Sequence, residues 1–280
     1  MEFVKKVCSV TRQGLYNTLK DKRLVFLILV FILIYDSSVK RMLENSKYVC
    51  RPVGFLENYI YTSNEWLFLI IIGVGFMIIV FDLPKINGES IFVLIRTGKS
   101  AWLLGEVLTI IVDSFLYVFC IFIVCVAGSG SYSFVGNIWS DYTVEFLDKY
   151  EQVVPNPEQY IRKEVYMYYS PYNACLKCFI LLALSLALMG TIVLVCSIIN
   201  MKIIGIVIDT ISISSILFFN HKRMFVTWFF PYPHAQLGMH NAYVFKKQAF
   251  PVLYSYIYLI GLQIVLVIIG MMLLKKKKFS

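Results

Sequence analysis

The chain has 280 residues, of which 59% are hydrophobic and 15% charged, with a net charge of +9 and a mean hydropathy of +0.73. A soluble domain needs roughly a quarter of its residues charged to cover its surface, so this composition excludes a water-exposed globular domain and a disordered chain. It also excludes the nucleic-acid-binding domain that the basic charge alone suggests, because that charge follows from topology.

Residues 1–23 form the first element. On a helical wheel Phe3, Val4, Val7, Cys8, Val10, Gly14, Leu15 and Leu19 fill one half, while Glu2, Lys5, Lys6, Ser9, Arg12, Gln13, Asn17 and Lys20 fill the other. Only Tyr16 breaks the partition. A basic amphipathic helix of this kind is expected to lie in the inner membrane interface, with a generic inner-face anchor as the simpler reading.

Six apolar runs follow, at 24–39, 66–81, 101–127, 174–199, 203–219 and 250–274. Backbone groups inside a bilayer must be satisfied within their own segment, so runs approaching 20 residues read as spanning helices. The expected fold class is an all-α polytopic membrane protein, with one six-helix transmembrane domain over residues 24–280. The last run is the clearest, and the first is the shortest, with 12 residues between Arg23 and Asp36. No small-residue cleavage pattern follows that first run, so it is expected to stay attached. With the N-terminus inside, the inner segments carry 14 Lys and Arg and the outer segments 11, although the inner ones are only about half as long. Both termini are therefore expected in the cytoplasm, with the lysines at 275–278 anchored to anionic lipid.

The coupling loop 83–101 joins the second and third runs. Pro84 stops one helix, Asn87 and Gly88 restart the chain, residues 90–96 suit a short apolar helix, Thr97 and Gly98 break it, and Ser100 is placed to cap the third run. A helix too short to span, bearing Glu89 and Arg96 at its ends, suits docking into a cleft on another protein. A surface-bound loop helix is the alternative. Glu89, Ser90, Phe92, Leu94 and Arg96 are the candidate coupling residues. Gly98, Lys99 and Ser100 do not make a phosphate loop, because Val93 stands where the Walker pattern requires glycine. No other glycine-rich loop is present, so energy from nucleotide has to come from a partner.

This arrangement resembles the ABC-2 family of ABC transporter permeases. Gly88-Glu89, then Leu94-Ile95-Arg96-Thr97-Gly98, then Trp102 and Gly105 are similar to the stretch that family carries before its third span, with Glu106 where a basic residue is expected. The resemblance implies a multi-pass permease subunit of an exporter in a bacterial plasma membrane. It implies a separate ATPase subunit that holds ATP and Mg2+ and receives the short helix, and a second permease, identical or different. No cofactor is expected in this chain, and the cargo is expected to be a peptide or another amphipathic molecule. An ATP-independent carrier or channel is the other reading; a hydrolase lacks its motifs.

The outer segments are 40–65, 128–173 and 220–249. The middle one, with eight tyrosines and six acids, is expected to form an outer cap. The last, with two prolines and an aromatic-rich composition, resembles the family's re-entrant hairpin, a plain interfacial loop being the alternative. Glu106 and Asp113, seven apart on the third run, and Asp209 on the fifth are translocation-path candidates. Helix–helix bonding by these acids is the simpler reading. His221, His234 and His240 share the last outer segment without a zinc motif, so no metal site is expected. Seven scattered cysteines, including Cys175 and Cys178, read as small hydrophobes.

Overall fold

The computed structural model describes residues 2–84, 88–221, 229–240, 243–244, 247–248 and 251–276. Helix α1 covers Glu2–Leu19. Helix α2, Leu24–Ile34, continues through a wider-wound π segment, Tyr35–Lys40, into α3, Arg41–Tyr48. The two-residue strand β1, Val53–Gly54, leads to α4, Glu57–Thr62, and α5, Trp66–Val80. Helix α6, Gly88–Thr97, precedes α7, Lys99–Ser129. Strand β2, Ser133–Phe134, pairs in parallel with β1, and the short helices α8, Asp141–Glu145, and α9, Lys163–Tyr166, follow. Helices α10, Pro171–Ile198, and α11, Lys202–His221, form a hairpin. Helix α12, Leu237–His240, and an antiparallel pair, β3 at Tyr243–Val244 with β4 at Lys247–Gln248, lead to α13, Val252–Lys276.

The protein is 79% helical and belongs to the all-α class. Each of the six apolar runs falls on a helix. Three of them, α7, α10 and α13, are long and apolar enough to cross a bilayer, whereas α5 is apolar but only 15 residues long. A helix that is apolar all round must be buried or face lipid. Helix α10 takes the first course: Leu181, Leu182, Leu186, Leu188, Met189 and Val193 are fully buried, with α5, α7, α11 and α13 packed about it. Helix α13 takes the second, exposing Leu253, Ile257, Ile264 and Ile268. An apolar surface of that kind is compatible with lipid rather than water.

The boundary between α6 and α7 is set by Gly98, whose φ of +86° favours glycine. Helix α7 therefore starts at Lys99, and Ser100 lies inside its first turn instead of capping it. The Asn87 restart falls outside the described residues, as do Lys277 and Lys278 of the basic tail.

Helix α1 runs beside the first half of α7. Val10 rests on Gly105, Thr11 Oγ1 donates to the Gly105 carbonyl at 3.2 Å, and Thr18 Oγ1 donates to Asp113 Oδ2 at 3.1 Å. These contacts advance together along both chains, so the two helices point the same way. The apolar half of α1 is thus divided: Val10 is buried against α7, while Phe3, Val4 and Leu19 stay exposed.

Candidate functional site

Four features carry the chemistry. The first is α6. Leu94 is buried in the bundle, whereas Phe92 and Ile95 are 74% and 72% exposed, with Arg96 exposed beside them. Glu89 and Ser90 lie in the helix, but their side chains fall outside the described ones.

The second is an ion cluster at the same end of the bundle. Asp82, just past α5, binds Arg23, which precedes α2, and Lys202 Nζ at 3.3 Å, at the start of α11. Arg23 and Lys202 both lie over the Phe81 ring. Burial raises the Asp82 carboxyl, but hydrogen bonds from the two cations, with their charge, outweigh burial and hold it below the usual carboxylate value. Ser197 Oγ donates to the Leu83 carbonyl at 3.0 Å, joining the end of α10 to this cluster.

The third is an apolar groove of about 450 Å³ between α5 and α11. Val74, Met77, Ile206 and Ile213 form its walls, and Arg23 stands at the end nearest Asp82. Asp82 and Asp21 both lie within electrostatic reach of Arg23, so this mouth is ionic beside apolar walls. None of the three acids named from the sequence lines the groove. Asp113 accepts from Thr18, and Glu106 faces Gln13 and Asn17, so both turn toward α1. Asp209 is buried at the seam between α10 and α11. The structure thus brings Glu106 and Asp113 onto one face and leaves Asp209 on a different one.

The fourth is the segment 231–240, which folds back into the bundle and is buried throughout. Tyr232 Oη donates to the Leu69 carbonyl at 2.5 Å, and Tyr232 N donates to Ser212 Oγ at 3.2 Å. Asn64, just before α5, holds the other half: its carbonyl accepts from Gln236 Nε2 at 2.5 Å and its Oδ1 from Gly238 N at 2.9 Å. His240 Nδ1 faces the Gln236 and Leu237 carbonyls at 3.0 and 3.3 Å, so that nitrogen carries the proton. Its Nε2 then accepts from Ser255 Oγ at 2.8 Å, and Ser255 Oγ accepts from His234 Nδ1 at 2.7 Å. Burial, more than any neighbouring charge, pushes the His240 imidazole down to about 3. The side chain of His221 falls outside the described ones. Among the described residues no group of three His, Cys, Asp or Glu side chains converges.

Residues of the segment 128–173 pack against α4 at this end. Glu57 of α4 accepts from Ser140 N at 2.7 Å, Ser140 Oγ at 2.6 Å and Thr143 Oγ1 at 2.7 Å. Ser140 in turn caps α8 by accepting from Thr143 N. Burial outweighs these hydrogen bonds and raises the Glu57 carboxyl. Sequence reasoning missed the Asp82 cluster, the Asn64 clasp and the Glu57 anchor. Asp82 and Asn64 stand at or near the ends of the 66–81 run, which was their one available signal, whereas Glu57 lies inside the segment 40–65 with none.

No known protein family, characterised protein or solved structure matches the chain.

Proposed function

We propose that the chain is the membrane-spanning permease subunit of an ABC exporter of the ABC-2 kind. In this reading it sits in a bacterial plasma membrane with six spans and both termini in the cytoplasm. A separate ATPase subunit binds ATP and Mg2+, and a second permease, identical or different, completes the path. The observation that carries the reading is α6, a helix too short to span. Its buried Leu94 fixes it to the bundle while Phe92, Ile95 and Arg96 face outward at the end where Arg23 and Lys202 gather. A short amphipathic helix with two large apolar side chains outward is the shape that enters a groove on a partner.

The mechanism follows from the connections of α6. Closure of the ATPase subunits displaces α6, and Gly98 passes that displacement to α7, which carries α1 with it. Asp82 links the inner ends of α5 and α11 to the start of α2, so the walls of the 450 Å³ groove shift with the same movement. Apolar walls with an ionic mouth suit an amphipathic cargo, a peptide among them.

Purification in mild detergent, after co-expression with the neighbouring genes, tests the reading. Wild type is expected to retain the ATPase. A Phe92→Asp, Ile95→Asp double variant is expected to retain it at least about tenfold less, equivalent to about 1.4 kcal/mol, while still inserting in the membrane. A wild-type chain that holds no ATPase and transports alone overturns the reading in favour of an ATP-independent carrier.

A further inference from the structure

The hairpin of α10 and α11 encloses one carboxyl group that the coupling reading leaves unused. Asp209 sits within α11 at 0% exposure, and neither of its carboxyl oxygens has a hydrogen-bond partner among the described residues. One turn earlier, Gly205 rests on Val193 and Cys196 of α10, and Cys196 lies within electrostatic reach of Asp209. Close to one turn later, Ser212 Oγ is taken up by Tyr232 N.

The surroundings contain no described counter-charge. Helix α10 presents Cys196, and its Lys177 lies over the Tyr169 ring near the opposite end. Helix α5 has no ionisable residue over Trp66–Val80. The 231–240 segment brings Tyr232, bound to Leu69, and His234, bound to Ser255. Lys202, on the same helix as Asp209, is paired with Asp82 at 3.3 Å.

An unpaired carboxylate at such a site costs several kcal/mol. A hard metal cation would need about six oxygen ligands, and Asp209 supplies two with none bonded nearby. A proton needs no more than one covalent bond to a carboxyl oxygen. We propose that Asp209 is a proton-binding site inside the helical bundle, holding its proton in this conformation and yielding it when the α10–α11 hairpin opens to water. The inference goes beyond the permease reading and holds equally for an ATP-independent carrier. It adds one proton to whatever conformational cycle the protein performs.

Infrared spectroscopy of the full chain in lipid at neutral pH tests it. The wild-type minus Asp209→Asn difference spectrum is expected to contain one protonated-carboxyl C=O band, which moves when aspartate is isotope-labelled. Asp209→Glu is expected to keep such a band at a displaced frequency. A flat difference in that region, or a carboxylate band in its place, overturns the proposal. Where the Asn variant fails to accumulate, wild type minus Asp209→Glu gives the same decision: paired acid bands support the site and their absence overturns it. No arm requires an ATPase, so failure of the exporter reading and failure of this proposal stay distinct.

Discussion

Glu57 meets three hydrogen-bond donors at 2.6–2.7 Å, and two residues of the middle outer segment, Ser140 and Thr143, supply them all. Glu57→Ala would leave those donors buried without an acceptor, at about 1–3 kcal/mol each. The thermal midpoint in detergent is expected to fall clearly in Glu57→Ala and by less in Glu57→Gln, which keeps one acceptor oxygen. An unchanged midpoint in the alanine variant would show that the cap does not depend on this anchor. His240 gives the opposite case, a base kept neutral. Its folded-state value is depressed from 6.5 to about 3, first by burial and then by His234. A depressed value means that its contribution is complete above about pH 6.5 and is lost as pH falls toward 3, at about 1.4 kcal/mol per unit. Hydrogen-exchange protection of residues 231–240 is expected to drop between about pH 7.5 and about pH 5 in wild type and to stay level in His240→Gln. Equal slopes in the two proteins would remove His240 as the cause. Neither residue was legible as a site in the sequence. The Ser140 and Thr143 partners of Glu57 lie 83 and 86 positions away, and Ser255 lies 15 from His240, beyond any local pattern.

Helices were far more legible than their contacts, because apolar periodicity reports the solvent a face prefers and not which apolar neighbour supplies it. The wheel of residues 1–20 puts Val10 and Gly14 on the apolar half, where lipid and α7 are equivalent choices. The structure gives Val10 to α7 and leaves Phe3 and Val4 exposed. The clue that separates the two is small size, since Gly14 and Gly105 let the helices approach closely. A Cβ at position 105 would stand 2.5 Å from Val10 Cβ and 3.2 Å from the Val7 carbonyl oxygen. Gly105→Val is therefore expected to destabilise this contact by about 1–3 kcal/mol and release α1 from α7. Limited trypsin digestion of inside-out vesicles, cutting after Lys5, Lys6 and Arg12, is expected to accelerate in that variant. Gly105→Ala combined with Val10→Gly should restore part of the resistance, because both contacts with Val10 are removed while that with the Val7 carbonyl remains. Identical digestion rates in wild type and Gly105→Val would mean that α1 is not held by this contact.

Over the whole molecule, composition marks the chain as one for lipid, but the number of crossings depends on helices that composition alone leaves short. Helix α2 is apolar for 11 residues before the π segment begins, and α5 for 15, against the roughly 20 that a bilayer core needs. These two helices sit against longer neighbours, so their depth is set by packing and by Arg23 and Asp82, which pair at their adjoining ends. The cysteines provide a direct reading of the resulting topology. Cys8, on α1, and Cys50, after α3, are both exposed, while Cys125, Cys175 and Cys178 are buried. Cys120 is exposed too, but on the apolar middle of α7, where a charged reagent does not reach. With both termini inside, a membrane-impermeant maleimide added to intact cells is expected to modify Cys50 and spare Cys8. Inside-out vesicles should reverse the pattern, and Cys50→Ser should abolish the intact-cell signal. Modification of Cys8 in intact cells would put α1 outside and with it α6, Arg23 and Lys202, where no cytoplasmic ATPase could meet them; the exporter reading would then fail, whereas the protonation state of Asp209 would remain a separate question.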